Sequence, residues 1–78
     1  NHRNSVVAHL SMDHNERALE LLSTMPTDAV TEYLRAIACS RLGRKAEGRE
    51  HFLEACRRDE RMEYRGNLDP EISELLKE

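Results

Sequence analysis

Gly43 sits between two stretches of apolar residues at helical spacing, and no other feature narrows the possible folds of this chain as much. Before it, Val30, Leu34, Ile37, Ala38 and Arg41 recur every three or four positions, Arg41 lending its aliphatic stem. After it, Arg49, Phe52, Leu53 and Cys56 do the same. Glycine suits the left-handed residue that ends a helix. Residues 33–58 therefore read as two helices joined by a tight turn. Ala36, Ala38, Ala46, Gly48 and Ala55 are small enough to let them approach closely.

The flanking segments extend this pattern. Residues 1–13 carry Val6, Val7, Ala8, Leu10 and Met12 and read as a helix that Asn4 or Ser5 caps. Residues 13–15 form a turn, and Asn15 caps a second helix. Its apolar stripe is Ala18, Leu19, Leu21, Leu22 and Met25, and it stops at Pro26. Thr27 caps the third helix, which runs to about Leu42. The fourth runs from Lys45 to Asp59 or Glu60. Residues 61–68 show no clean period, and Gly66-Asn67 signals a turn. Asp69-Pro70-Glu71 is a strong helix start, and Ile72, Leu75 and Leu76 give the last helix one apolar side. That helix is too short to persist alone, so it must dock. The expected fold is all-α with about five helices in one domain. A first hairpin spans residues 1–25, a second 27–60, and a capping helix 69–78.

The two hairpins resemble each other. Residues 9–22 align with 39–52, so that Asp13 matches Gly43, Ala18 matches Gly48 and Leu22 matches Phe52, each thirty positions apart. A hairpin repeating at this period points to a solenoid, in which units bury their faces against neighbours.

Residues 33–44, with Glu47, Gly48, Phe52 and Ala55, resemble the tetratricopeptide repeat family. Ala36, Gly43, Phe52 and Ala55 stand where the family uses a small residue, the turn glycine, an aromatic and a second small residue. Asp59 takes the usual acidic position, while Glu60 replaces the proline after it and Gly48 an alanine. The family's period is about 34 residues, so the link between the hairpins is short here. The resemblance implies antiparallel hairpins stacked as a right-handed superhelix. It also implies that the first helix of each hairpin lines an inner, concave face. Arg3, Val7 and Leu10 would line it from the first unit, and Val30, Tyr33, Ile37, Ser40 and Arg41 from the second. Such a lining suits a protein or peptide segment anchored on Tyr33. On this expectation, replacing Tyr33 and Ile37 by Ala weakens a partner more than the fold. The polar set with which some members clamp a C-terminal carboxylate is missing at Val30, Tyr33 and Ile37, so that activity is not carried over.

Composition and spacing argue against other classes. The net charge of −3 gives no general attraction to nucleic acid or anionic lipid, and three aromatic residues make no base-stacking platform. No apolar run approaches the ~20 residues of a membrane span. His2, His9, His14 and His51 lack ligand spacing, so no metal and no cofactor is expected. His51 and Cys56 share one helix but point about 140° apart, which excludes a nucleophile pair. Cys39 and Cys56 should lie roughly 10 Å apart along the hairpin, beyond disulfide reach, and read as packing residues. Arg41, Arg44, Lys45 and Arg49 read as a solvated turn flanked by Glu47 and Glu50.

The expected role is thus a non-catalytic protein-interaction or scaffolding module. The chain starts at Asn rather than Met, as a piece of a larger protein would. The alternative is a structural spacer or homodimer unit with its seam at Val6, Val7, Leu19 and Leu21. Nothing in the residues indicates a cellular compartment.

Overall fold

The described residues form six helices: α1 (His2–Ser11), α2 (Asn15–Ser23), α3 (Ala29–Arg41), α4 (Lys45–Arg58), α5 (Arg61–Leu68) and α6 (Pro70–Leu76). The computed structural model describes residues 2–77, and side chains from Ser5 to Lys77. The fold is all-helical, as expected, but with six helices among the described residues rather than five.

The additional helix is α5, in the segment that lacks an apolar period. It forms because Met62 and Gly66, one turn apart, face the core together. Gly66 has no positive φ and makes no turn; it supplies space. A Cβ there would overlap the Phe52 ring.

The turn between α1 and α2 and the turn between α3 and α4 are the same structure. Asp13 (φ +60°) and Gly43 (φ +80°) are the only described residues in the left-handed region. His14 N–H donates to His9 C=O at 2.8 Å, and Arg44 N–H to Cys39 C=O at 2.8 Å. Asp13 N–H reaches Leu10 C=O at 3.1 Å, and Gly43 N–H reaches Ser40 C=O at 3.2 Å. Ala18 and Gly48 N–H then bond to the carbonyls of His14 and Arg44 at 3.0 and 2.9 Å. Each pair is thirty residues apart. Aspartate reaches the left-handed region more readily than most residues, which explains how the first turn closes without glycine.

Three helix starts differ from expectation. α1 begins upstream of Asn4, so Ser5 lies inside it rather than capping it. Asn15 is the first helical residue of α2, behind His14, whose side chain accepts no capping hydrogen bond. Asp28, not Thr27, caps α3: its Oδ1 accepts from Thr31 N–H at 2.8 Å. Extended backbone at Asp28 frees its carboxylate for that bond, worth about 1 kcal/mol. Asp69 caps α6 in the same manner through Glu71 N–H, with Pro70 in the first turn.

The core has two lobes. Val6, Leu10, Ala18, Leu22 and Ala38 form one, with Leu34 and Ile37 packed against it. Tyr33, Ala36, Phe52, Ala55, Met62, Ile72 and Leu75 form the other, which Ile37 also touches. α3 therefore runs between the lobes, one side to each. α4 lies along it, and α6 packs across both, with Leu75 over Gly48. A Cβ at Gly48 would stand 2.9 Å from Leu75 Cδ1. Glu54, paired with Arg57 and Arg58 at 2.8 Å, decorates the solvent side of α4. Such exposed pairs contribute ~0–1 kcal/mol.

Candidate partner-binding surface

The last two helices cover the part of α3 where an open groove was expected. Tyr33 is 2% exposed. Its hydroxyl donates to Asp69 Oδ2 at 2.9 Å, and its ring meets Phe52 edge-on, with centroids 6.1 Å apart. The Arg65 guanidinium sits 5.2 Å from the Tyr33 ring centroid. Burial and the Asp69 carboxylate push the Tyr33 phenol far above its usual range. This residue is an anchor for the chain's own C-terminal segment.

The other expected groove residues are scattered. Val30 is half-buried against the Tyr33 lobe, and Ile37 is half-buried between the two lobes. Leu10 is buried. Ser40 is half-buried. Val7 is 51% exposed and lies on α1, in neither core lobe. The Arg3 side chain lies outside the described ones. Val30, Tyr33 and Ile37 are thus brought together, but as core.

Arg41 ties four pieces of the chain. Its Nε donates to Glu71 Oε1 at 2.5 Å and Nη2 to Glu71 Oε2 at 3.1 Å. Nη1 reaches the Leu10 carbonyl at 2.6 Å and Asn15 Oδ1 at 3.3 Å. Asp13 lies 3.6 Å away. The bidentate bond to Glu71 raises the Arg41 pKa further. A guanidinium so engaged is a bracket between the first turn and α6.

Sequence reasoning missed a buried carboxylate. Glu32 is 4% exposed. Arg35 Nη1 donates to one of its oxygens and His51 Nδ1 contacts the other at 2.8 Å. Arg35 Nη2 continues to the Leu22 carbonyl at 2.6 Å, which also accepts from Met25 N–H at 3.2 Å, and so ties α3 to the end of α2. Burial alone would push the Glu32 carboxyl up. The hydrogen bonds to His51 and Arg35, with the charges of both, outweigh it, and the group is held below its ordinary value. The i,i+3 spacing of Glu32 and Arg35 is the one local signal of this network.

Cys39 and Cys56 are free thiols, both pushed up first by burial, which disfavours the nucleophilic thiolate. His9 and His14 bring their rings within 5.8 Å beside an open cleft of about 650 Å³ that Met12, Asp13, Arg17 and Leu42 also line. Among the described residues no three His, Cys, Asp or Glu side chains gather as a metal site. Nor is any helix among those residues long and apolar enough to cross a membrane.

The apolar side chains left in solvent lie elsewhere. Tyr64 and Leu68, one turn apart on α5, are 71% and 69% exposed. They occupy the side of the helix opposite Met62 and Gly66, with Glu60, Arg61, Glu63 and Asn67 around Tyr64. Val6 is fully buried and Leu19 and Leu21 half-buried, so Val7 alone of the expected dimer seam projects into solvent. No protein-family model matches the chain, and no curated protein or solved structure is similar enough to stand as a relative.

Proposed function

We propose that the chain is a non-catalytic protein-interaction or scaffolding module, a tetratricopeptide-like pair of stacked hairpins closed by α5 and α6. The thirty-residue correspondence of the two turns, bond for bond, supports the stacked-hairpin half of this reading. One observation carries the functional half: α5 is apolar on two sides. Its inner side holds the helix on Phe52, and its outer side offers Tyr64 and Leu68 to solvent. Exposed apolar residues rimmed by charge mark protein contacts, and tyrosine is among the residues that dominate them. The partner is a protein or peptide segment that covers Tyr64, and this outer side of α5 takes the role first expected of the inner side of α3.

The test compares the wild-type chain with a Tyr64→Ser, Leu68→Ser double variant as bait. The reading expects a protein retained by the wild type and lost by the variant, with unchanged thermal melting. Equal recovery of every retained protein by both baits would refute it.

A further inference from the structure

We infer that the outer side of α5 selects a basic partner segment, whose arginine stacks on the Tyr64 ring beside Glu60 and Glu63 and whose apolar side chain two residues on packs against Leu68. The inference rests on the reading of α5 above and names the chemistry of the partner at that same surface.

The charges around Tyr64 divide into those already matched and those that are not. The open cleft there, of about 450 Å³, is lined by Glu60, Arg61, Glu63 and Asn67. Arg61 is committed to its neighbour: Nη2 donates to Asp59 Oδ2 at 2.8 Å and Nε to Asp59 Oδ1 at 3.0 Å. Arg57 and Arg58 hold Glu54, and Arg65 lies over Tyr33. Among the described residues, the side chains of Glu60 and Glu63 have no ion pair or hydrogen bond, and no ring or guanidinium lies over Tyr64. An aromatic ring that is 71% exposed therefore stands beside two unmatched carboxylates. A cation is drawn both to the face of such a ring and to such carboxylates.

Arginine suits this place better than lysine. Its planar guanidinium lies flat on a ring while its edge hydrogen-bonds a carboxylate, whereas a lysine ammonium is a point charge that holds its water more strongly. The inner side of α5 already carries an arginine on a tyrosine: the Arg65 guanidinium sits 5.2 Å from the Tyr33 ring centroid, and Asp69 accepts from the Tyr33 hydroxyl. Leu68 follows Tyr64 by one turn, about 6 Å along the axis. Side chains two positions apart in an extended segment lie about 6.7 Å from each other on one side, so an Arg-x-Leu segment spans both residues. A second copy of this chain is a poor occupant, because a symmetric contact through α5 sets Glu60 and Glu63 against the same carboxylates.

The probes are end-blocked peptides, a glycine-flanked Arg-Gly-Leu and the matched Gln-Gly-Leu, added at millimolar concentration to the full 78-residue chain and followed by amide chemical shifts. The arginine peptide should shift Glu60, Glu63, Tyr64 and Leu68 and bind about threefold or more tighter than its match. Glu60→Gln combined with Glu63→Gln should remove most of that preference. Tyr64→Leu, which keeps an apolar side chain without a ring, should do the same. Glu60 makes no capping bond, so Glu60→Gln alone repeats the test should the double variant melt early. Equal response to the two peptides, a preference that survives either variant, shifts centred away from α5, or no shift at all would overturn the assignment, as would a concentration-dependent dimer that Tyr64→Ser abolishes. The α5 surface itself stands or falls separately, on whether the bait carrying Tyr64→Ser and Leu68→Ser loses a protein that the wild type retains.

Discussion

Asp13 and Gly43 occupy the same left-handed corner of the same turn, thirty residues apart, at φ +60° and +80°. One is the residue type best suited to that corner and the other merely tolerates it. Removing the Cβ of Asp13 and adding one to Gly43 should therefore act in opposite directions. Gly43→Ala should cost ~1 kcal/mol or somewhat more. Asp13→Gly should stabilise by up to ~0.5 kcal/mol, offset in part by loss of its distant pairing with Arg41. Urea midpoints of the two variants, at unchanged m-value, check both signs.

Tyr33 was expected to matter to a partner more than to the fold, and its burial reverses that order. Tyr33→Ala should destabilise by ~3–5 kcal/mol, the cost of emptying an aromatic site in a core. Tyr33→Phe keeps the ring against Phe52 and removes only the donor to Asp69, at ~1–2 kcal/mol. Thermal melts should rank wild type, Phe and Ala in that order. A melt of the Ala variant within a degree of wild type would contradict the packing described.

Glu32 makes stability depend on acid. Its carboxyl is held below its ordinary value of 4.5, so the native state binds fewer protons than the unfolded chain between the two values. Its contribution is complete above about pH 4.5 and is lost as pH falls through the lower folded value. At pH 7, Glu32→Ala should cost ~2–3 kcal/mol, because it leaves the half-buried Arg35 guanidinium without its counter-charge. The gap between wild type and variant should narrow steadily when urea melts are repeated towards pH 3. A gap independent of pH would show that the carboxylate is not the source.

Gly66 and Phe52 should be coupled. Gly66→Ala places a methyl into the Phe52 ring and should cost ~1–3 kcal/mol as the neighbours shift. Phe52→Leu leaves room behind. Combining the two changes should recover part of the loss, giving a double-mutant interaction energy of at least ~0.5 kcal/mol. Strict additivity would place the two residues out of contact.

The local rules were legible in particular residues and the non-local ones were not. Gly43, the Asp69-Pro70-Glu71 start and the thirty-residue match of Asp13 with Gly43 follow from nearest-neighbour chemistry, and helices stand where they indicate. Caps slipped by one position, from Thr27 to Asp28, because both types accept a backbone N–H and only the geometry of the link chooses between them. α5 was illegible for a stronger reason. Its buried side is written with Met62 and a glycine, and its conspicuous apolar residues, Tyr64 and Leu68, point into solvent. A periodicity rule reads that pattern inside out. The cover over Tyr33 depends on where α6 crosses α3, which Gly48 permits from a distance in sequence. Glu32 was passed over because a charged residue is ordinarily solvated, and its partner His51 lies on another helix.

The Asp69 carboxylate divides its two oxygens between the Glu71 amide and the Tyr33 phenol. Nucleating the final helix and addressing it to the body are thereby assigned to a single side chain. The oxygen that starts the coil and the oxygen that fixes its berth share one carbon, so the geometry that suits one constrains the other. Any swap at this position, even to the equally good capper Asn, tests both assignments at once.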